Sequence, residues 1–242
     1  MVMREKDAYG EELKSFVRNG HQTEVVERDD GYIDSHEGIP FYFAPYSEWR
    51  ELDKQAVTMA RGRVLDVGCG AGRVSLHLQS KGHEVVAIDN SPGAIEVSRG
   101  RGVRDARVLS FVQVNQSVGS FDSIVLFGSN FGLFANYRRA RWLLRRLKGM
   151  VSMSGRIIAD VVDPYGTDNP DHLAYHRRNR ERGRMGGQLR IRVRHRAFIG
   201  DWFDYLFVSK PELEAIVDGT GWTLVEALRD EGAGYFALLE KE

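Results

Sequence analysis

Two aspartates and three glycines are spaced as in sites that hold a nucleoside-containing cofactor. The segment at 64–73, Val-Leu-Asp-Val-Gly-Cys-Gly-Ala-Gly-Arg, is an apolar strand running into a glycine-rich turn, with Asp66 two residues before Gly68. A second apolar segment at 85–88 ends on Asp89, 21 residues after Gly68. Strand, glycine turn, helix, strand and acidic tip together are typical of adenosine-containing cofactors bound at the carboxyl edge of a parallel sheet.

The order of residues in the turn narrows the choice of cofactor further. Gly68, Gly70 and Gly72 give G-x-G-x-G, whereas dinucleotide sites place the third glycine three residues after the second and hold a pyrophosphate. The Asp66 carboxylate beside the turn would repel a pyrophosphate but can help to hold an ammonium group. The segment at 64–73 resembles motif I of the class I S-adenosylmethionine-dependent methyltransferases. This resemblance implies S-adenosyl-L-methionine as the cofactor.

The resemblance covers roughly residues 62–163 and 202–240. Asp89 matches the acidic position that binds both ribose hydroxyls in this family, and Ser110-Phe111 falls where an Asp-Ala pair often contacts adenine. Three later segments are similar to the family's strand entries and closing element: Gly119-Ser120-Phe121-Asp122, Gly155-Arg156-Ile157-Ile158, and Ser209-Lys210-Pro211-Glu212-Leu213 with Gly221-Trp222. The resemblance implies these cofactor-binding residues: Asp66, Gly68, Cys69, Gly70, Arg73, Asp89, Asn90, Ser110, Phe111, Phe127 and Gly128.

Two of these positions have alternative interpretations. Cys69 is expected to offer its backbone, because no base stands near it in the sequence to activate the thiol. Arg73 is either a solvated charge or a contact for the methionine carboxylate.

Strand and helix patterns alternate from residue 62 onward, which predicts an α/β fold. We expect a doubly wound, Rossmann-like, mostly parallel seven-stranded sheet with an antiparallel last strand, plus N-terminal and inserted lid segments. The predicted division is an N-terminal lid or cap at 1–60 and a methyltransferase core at 61–242 with an insertion at about 164–198. Before the core, a helix is expected from about Ser47 to Met59, with Ser47 as its N-cap. Trp202 to Val208 is predicted to be the sixth strand.

Composition indicates a soluble, self-contained enzyme. The 242 residues are 42% hydrophobic, and 34 basic side chains balance 34 acidic ones, so no global field favours nucleic acid or a membrane. The apolar runs are strand-sized, well short of the roughly 20 residues that cross a bilayer. No secretory signal is expected. An intrachain disulfide is not expected either, since Cys69 is the single cysteine. These features favour a cytoplasmic protein and leave its oligomeric state open.

The predicted insertion carries candidate substrate contacts. His172 and His176 are four residues apart, so on a helix they share a face. They can contact a polar substrate, act as a general base or lie on the surface; zinc is a weaker alternative because no cysteine or glutamate accompanies them. We predict no metal. The catalytic candidates are His176 and Asn130, and the substrate candidates are Tyr42, Tyr46, His172 and Tyr175.

Charge separates the two predicted lid segments. Residues 1–60 carry 13 acidic and 7 basic side chains (net −6), and residues 176–196 carry nine arginines and one acid (net +8). We expect the segments to pack together over the active site. In the second segment Arg190, Arg192, Arg194 and Arg196 alternate with Leu189, Ile191, Val193 and His195, which predicts a half-buried strand with one continuous basic face.

The family resemblance implies methyl transfer, because the sulfonium already activates the methyl group and the protein need only align a nucleophile and exclude water. We expect a small-molecule acceptor. One alternative is an RNA or protein methyltransferase that uses the arginine-rich insertion; the other is a non-catalytic protein that binds the cofactor.

Overall fold

The computed structural model describes residues 6–20, 23–36, 38–229 and 231–242. The helices are α1 (Ala8–Asn19), α2 (Ile39–Phe43), α3 (Glu51–Val57), α4 (Arg73–Ser80), α5 (Pro92–Gly100), α6 (Tyr137–Lys148), α7 (Pro170–Glu181) and α8 (Lys210–Val217). The strands are β1 (Glu24–Arg28), β2 (Ile33–His36), β3 (Val64–Val67), β4 (Val85–Asp89), β5 (Ala106–Val108), β6 (Phe121–Leu126), β7 (Val151–Val162), β8 (Gln188–His195), β9 (Phe198–Ile199), β10 (Phe203–Leu206), β11 (Trp222–Arg229) and β12 (Gly234–Lys241). None of the helices in these ranges has the length and apolar character needed to span a bilayer.

A seven-stranded main sheet runs through the described chain in the order β11-β12-β7-β6-β3-β4-β5. The pairs from β7 to β5 are parallel. The last strand, β12, is antiparallel to both of its neighbours. The predicted fold class is therefore confirmed. In this order β3 and β4, which carry the glycine turn and Asp89, lie side by side.

The strands at the centre of the main sheet are buried on both faces. Every residue of β3 and β4 is buried, as expected of parallel strands covered by helices on each side. On one face, α6 and α8 pack against the sheet through residues such as Leu143 and Leu213. On the other face, α3 and α4 do so through residues such as Leu52 and Leu78. This packing holds the carboxyl ends of β3, β4, β6 and β7 along one edge.

A second, antiparallel sheet lies over that edge and joins segments far apart in sequence. Its order is β10-β8-β1-β2, with β9 paired to β8. The expectation that 202–208 is the sixth strand of the core was wrong: β10 pairs with β8, and β11 takes the core position beside β12. The sequence pattern of β10 is that of any half-buried strand, so it does not indicate which sheet the strand joins. The inserted strands continue past residue 198 to Leu206.

Strand pairing brings the acidic N-terminal segment against the basic insertion, as expected. β1 pairs antiparallel with β8 over Val25–Arg28 and Ile191–Arg194. On the outer face of this pair, Glu27 accepts hydrogen bonds from Arg192, with Nε to Oε2 at 2.7 Å, and from Arg194. The guanidinium groups lower the pKa of Glu27 through these hydrogen bonds. The basic face of β8 is thus partly neutralised inside the protein.

Ser47 does not cap the helix predicted from Ser47 to Met59. Residues 46–48 form a short 3-10 turn, Trp49 is extended, and α3 begins only at Glu51. The Trp49 indole donates a hydrogen bond to the Ala44 carbonyl at 3.0 Å. The buried ring therefore fixes an extended break where the sequence pattern favoured a continuous helix.

Asp7 fastens α1 to α5 close to the glycine turn. As N-cap of α1, its carboxylate accepts from the Gly10 N–H at 3.0 Å. It also accepts from the Ser91 hydroxyl at 2.7 Å and the Gly93 N–H at 2.8 Å, both at the start of α5. A Cβ added to Gly10 would stand 2.7 Å from the Gly93 Cα. The two helices thus cross with their backbones in contact.

We therefore expect Gly10→Ala to destabilise the protein, because the clash is with backbone. Overpacking of this kind costs about 1–3 kcal/mol, which in a chain of this size lowers Tm by roughly 2–10 °C. Gly100→Ala, in α5 with no atom within 4 Å of its added Cβ, is the matched control and should leave Tm unchanged or raise it slightly. Thermal unfolding checks both variants; equal Tm values for both would contradict the proposed close crossing.

Candidate functional site

One cavity of about 1110 Å³ lies between the carboxyl edge of the main sheet and the second sheet. It is lined by all of the cofactor-binding residues that the sequence predicts: Asp66, Gly68, Cys69, Gly70, Arg73, Asp89, Asn90, Ser110, Phe111, Phe127 and Gly128. Among the other predicted residues, Asn130, Tyr42, His172 and His176 also line it. The parallel topology explains this convergence, because the ends of successive strands meet at the same edge.

The glycine turn passes directly beneath side chains from other elements. Gly68 and Gly70 have φ of +71° and +52°, which glycine adopts without strain. A Cβ on Gly68 would lie 2.4 Å from the Asn130 Nδ2, and one on Gly70 would lie 2.6 Å from the Tyr9 hydroxyl. Both glycines are required by the close approach as well as by the turn. The turn is a bare backbone surface facing the cavity.

Two buried carboxyls flank this turn. Asp89 at the end of β4 accepts from the Gly70 N–H at 3.1 Å and from the Ser91 N–H at 2.9 Å. Asp66 accepts from the Ser75 hydroxyl at 2.5 Å. Burial raises the pKa of each to about 6, against the hydrogen bonds that lower it. Both groups are therefore ionised at neutral pH, at a free-energy penalty set by their burial.

A third buried carboxyl, Asp160 of β7, faces the loop that follows β6. Its Oδ2 accepts from the Ser129 N–H at 2.9 Å and lies 3.5 Å from the Arg50 guanidinium. Burial raises its pKa to about 6. The next residue of the loop, Asn130, donates from Nδ2 to the carbonyls of Val67 (3.2 Å) and Gly68 (2.9 Å). Asn130 thus ties the β6 loop to the glycine turn, which gives it a positioning role.

Arg73 is held in the cavity wall with part of its guanidinium unused. The group lies 3.9 Å from the Phe41 ring centroid and 4.2 Å from that of Trp49, and its Nη2 lies 3.3 Å from an Asp53 oxygen. Burial lowers its pKa from the ordinary arginine value. Its Nη1 is buried and has no hydrogen-bond partner among the described residues. Of the two interpretations of Arg73, this position excludes the solvated charge and suits an anion in the cavity.

Cys69 is buried in the turn with its thiol protonated. Burial, followed by the charges of Asp89 and Asp66, raises the pKa of the thiol well above its usual range. A protonated thiol is a poor nucleophile, which agrees with a backbone role for this residue.

The second sheet presents a mixed face to the cavity. Because side chains alternate along a strand, the inward residues of β8 are Leu189, Ile191 and Val193, while Arg190, Arg192 and Arg194 point outward. The register places Glu24, Val26 and Arg28 of β1 on the inward face beside them. Phe203 and Tyr205 of β10 continue this face. All of these inward residues line the cavity. An apolar band thus runs between the Glu24 carboxyl and the Arg28 guanidinium.

His172 and His176 lie on one face of α7 and line the cavity. His172 packs edge-on against Tyr32, with ring centroids 5.1 Å apart, and His176 against Tyr165 at 5.5 Å. Burial, followed by the Arg180 charge, lowers the pKa of His176, so this imidazole is neutral at pH 7. Nowhere in the described ranges do three or more His, Cys, Asp or Glu side chains gather as metal ligands would.

Two predicted substrate residues, Tyr46 and Tyr175, are absent from the described cavity lining. Tyr46 is on the outside, where its ring stacks on His77 with centroids 4.1 Å apart. Tyr175 is buried, its hydroxyl donates to Asp29 at 2.7 Å, and the Arg28 guanidinium lies 4.2 Å from its ring centroid. Both tyrosines thus make contacts within the protein.

The sequence analysis did not select four other residues of the cavity lining: Tyr9, Glu24, Asp160 and Tyr205. Asp160 has a local signal, since it is a single carboxyl within the apolar strand β7. The other three come from α1, β1 and β10, and they meet only through the pairing of distant segments. The Tyr205 hydroxyl donates to the Ser129 carbonyl at 2.8 Å, and its ring covers Gly132. These residues join the second sheet to the loop that follows β6.

Comparison with known proteins adds a family match to this geometry. The family described as "Methyltransferase domain" matches residues 64–155. A putative methyltransferase of Geobacillus is 25% identical over 134 residues, which is 52% of this chain and 54% of that protein. The demethylmenaquinone methyltransferase of Clavibacter sepedonicus is 35% identical over 116 residues, 46% of this chain and 45% of that protein. The chain thus spans about half the length of these curated relatives.

A solved structure matches the whole chain. The crystal structure of a SAM-dependent methyltransferase from Bacteroides fragilis in complex with S-adenosyl-L-homocysteine superimposes with a TM-score of 0.83 at 26% identity, over 100% of this chain and 97% of that one. The CcbJ methyltransferase from Streptomyces caelestis superimposes with a TM-score of 0.60 at 16% identity, over 81% and 94% of the two chains; this second likeness shows the fold.

Asp66 offers a test of the buried carboxyls in the ligand-free protein. An unfolded aspartate titrates near pH 3.9, so the folded pKa of about 6 means that folding stabilises the protonated form. The free energy of unfolding therefore falls as the pH rises from about 4 to 6 and keeps this penalty above pH 6. Asp66→Asn removes the penalty and should raise the free energy of unfolding by about 1–3 kcal/mol at neutral pH, with the gain fading toward pH 4.

Urea unfolding at a series of pH values checks this expectation. Asp122→Asn is a control of opposite sign, because the Arg63 backbone N–H holds the pKa of that carboxyl below its usual range. Asp122→Asn should lower the free energy of unfolding at neutral pH. A ligand-free Asp66→Asn variant less stable than wild type at neutral pH would show that ionised Asp66 is not penalised.

Proposed function

The chain belongs to the class I S-adenosylmethionine-dependent methyltransferase family, with S-adenosylmethionine as its cofactor, and from this premise we propose that it methylates a small-molecule acceptor by direct in-line displacement. The observation that carries the proposal is the cavity of about 1110 Å³ described above. Sites for one small ligand range over about 300–1,000 Å³. This cavity joins the predicted cofactor residues to the inward face of the second sheet, so cofactor and acceptor share one space.

The residues at the carboxyl edge fit the cofactor. The glycine turn lies in the cavity wall, and its backbone, without a Cβ at Gly68 or Gly70, allows the close approach that an adenosine needs. We assign Asp89 to the ribose hydroxyls and Asp66 to the ammonium group. The unpartnered Nη1 of Arg73 suits the methionine carboxylate. Ser110, Phe111, Phe127, Gly128, Asn90 and the Cys69 backbone complete the proposed cofactor wall.

When bound, the cofactor supplies a methyl group on a positively charged sulfur, already activated for transfer. The tasks left to the chain are to align the acceptor and to exclude water. The apolar band of Leu189, Ile191 and Val193 suits the second task. Tyr42, His172 and His176 are the proposed polar contacts for the acceptor.

The orientation of the arginine-rich strand β8 supports a small acceptor over RNA. Arg190, Arg192 and Arg194 point away from the cavity, and each pairs with a carboxylate, Asp204 or Glu27. Nucleic-acid binding relies on cations that are available to phosphates. Two relatives are named for quinones, a demethylmenaquinone methyltransferase and a ubiquinone biosynthesis O-methyltransferase of Xanthomonas oryzae, and such acceptors are small molecules.

Methyl-labelled S-adenosylmethionine provides the direct test. The protein is incubated with the labelled cofactor and with the dialysable metabolites, the RNA and the proteins of a cell extract in separate reactions. We expect label in the dialysable fraction, none with Asp89→Ala or Gly70→Val, and unchanged labelling with the outer-face control Arg190→Gln/Arg194→Gln. Label confined to RNA or protein would contradict the proposal, and binding of S-adenosylhomocysteine without any transfer would support the non-catalytic alternative.

The assignment of Arg73 can be tested with two ligands, one with and one without the amino-acid carboxylate. S-adenosylhomocysteine has the whole amino-acid group, and 5′-methylthioadenosine lacks it, the ammonium group included. A lost charged hydrogen bond is worth roughly 1.5–3 kcal/mol, so Arg73→Met should weaken S-adenosylhomocysteine about 10- to 100-fold. Arg73→Met should change the affinity for 5′-methylthioadenosine by no more than about two-fold.

Calorimetry with Arg73→Lys distinguishes charge from geometry, since lysine keeps the cation without the planar fork. We expect an intermediate affinity for S-adenosylhomocysteine. Equal losses for both ligands with Arg73→Met would show that Arg73 supports the pocket wall instead of binding the carboxylate.

A further inference from the structure

The second sheet places the Glu24 side chain in the cavity wall. We propose that Glu24 of β1 is the catalytic residue that receives the proton of the acceptor, and that the acceptor accordingly presents an O–H or N–H nucleophile on an apolar body. This inference rests on the proposed function and names both the chemistry of its acceptor and the residue that activates it.

The position of Glu24 follows from three tyrosines. The Tyr42 hydroxyl donates to Glu24 at 3.0 Å and 3.3 Å, and its ring meets that of Tyr9 edge-on, with centroids 5.9 Å apart. The Tyr9 hydroxyl stands over Gly70 of the glycine turn. On the opposite side, Tyr205 reaches the Ser129 carbonyl after β6. Glu24 thus lies in the part of the second sheet that faces the loops after β3 and β6.

Electrostatics agree with this placement. The negative charge of Glu24 contributes to the raised pKa of Tyr9, Tyr42 and Tyr205, after the larger effect of burial. All three phenols therefore stay protonated and none competes as a base. The carboxylate is the proton acceptor of this group.

A neighbouring carboxyl, Glu12, remains neutral. Glu12 of α1 is fully buried, and burial together with the Glu24 charge raises its pKa to about 9. Glu12 therefore carries a proton at neutral pH. The His195 Nδ1 lies 4.0 Å from a Glu12 oxygen, and burial lowers the pKa of that imidazole. Of the two neighbouring carboxyls, Glu24 is the one that lines the cavity.

The proposed step balances in atoms and charge. The acceptor O–H or N–H gives its proton to a Glu24 oxygen as its lone pair forms the bond to the methyl carbon, and the carbon–sulfur bond breaks with its electron pair on sulfur. Glu24 becomes a neutral carboxylic acid and later returns the proton to solvent. The Tyr42 hydroxyl holds the carboxylate in place before the transfer.

Glu24 also sets the class of acceptor. The face that leads away from it is apolar, formed by Val26, Ile191 and Val193. An acceptor with a carboxylate at its reacting end would meet Glu24 with like charge, which disfavours binding. A phenol, alcohol or amine would instead donate a hydrogen bond to it.

Three probes that share one apolar body test this preference without knowledge of the natural acceptor: para-propylphenol, para-propylbenzylamine and para-propylbenzoate. Their affinities are measured by ligand-observed NMR on the protein saturated with S-adenosylhomocysteine. We expect the phenol and the amine to bind at least about ten-fold more tightly than the benzoate. Glu24→Gln should reduce this preference to within about three-fold while leaving S-adenosylhomocysteine affinity unchanged.

Glu27→Gln is the matched control, since Glu27 lies on the same strand but on its outer face; its probe preference should equal that of the wild type. Wild-type protein that binds the benzoate as tightly as the phenol would overturn the proposal, as would an undiminished preference in Glu24→Gln. The probe affinities of the wild-type protein test the proposal even if Glu24→Gln fails to fold. Failure of the wild-type protein to bind S-adenosylhomocysteine would instead overturn the proposed function, and this inference with it.

A kinetic test becomes possible once the labelling experiment has identified an acceptor. Removal of a general base reduces turnover by about 10²–10⁴-fold, so Glu24→Gln should lower kcat by that factor with S-adenosylhomocysteine affinity intact. A kcat within about two-fold of wild type would show that Glu24 does not take the proton.

Discussion

The pairing of β1 with β8 is the constraint on which the rest of the site depends. These strands lie more than 160 residues apart in sequence, with Val26 opposite Val193, and closing so long a loop is entropically unfavourable. The pairing is supported by the inward apolar band, by the hydrogen-bond ladder and by Glu27 between two arginines. Without this pairing the carboxyl edge of the main sheet would be open to solvent. With the pairing, that edge becomes one wall of a cavity.

Buried carboxyls recur in this cavity because ligand binding and stability make opposite demands on them. Asp66, Asp89 and Asp160 each have a pKa raised to about 6 by burial, so the ligand-free fold holds them ionised at a free-energy penalty. Buried groups of this kind lower stability and are typical of functional sites. Glu12 shows the other outcome, since its pKa is raised to about 9 and it keeps its proton at neutral pH.

Local patterns predicted the main sheet and the cofactor side of the cavity, because both depend on short-range features. The glycine turn, Asp66 and Asp89 lie within 24 residues of one another, and all eleven predicted cofactor residues line the cavity. The acceptor side could not be predicted in this way. Trp202 to Val208 has the pattern of a strand but not of a particular sheet, and Tyr46 and Tyr175 resemble cavity residues until Trp49 and Asp29 fix them elsewhere. Glu24, Tyr9 and Tyr205 meet only through long-range pairing.

Because two sheets form the cavity, a relative that matches only one of them shares only part of the cavity lining. The family match ends at residue 155, and it contains the glycine turn, Asp89 and the loop after β6. It contains no residue of β1, β2, β8 or β10, which form the roof. Strand alternation in β8 then assigns its apolar side chains to the cavity and its arginines to the outer face. The strands of the second sheet therefore lie outside the matched segment, and a relative that shares only that segment shares the lining from the main sheet without sharing the lining from β1, β2, β8 and β10.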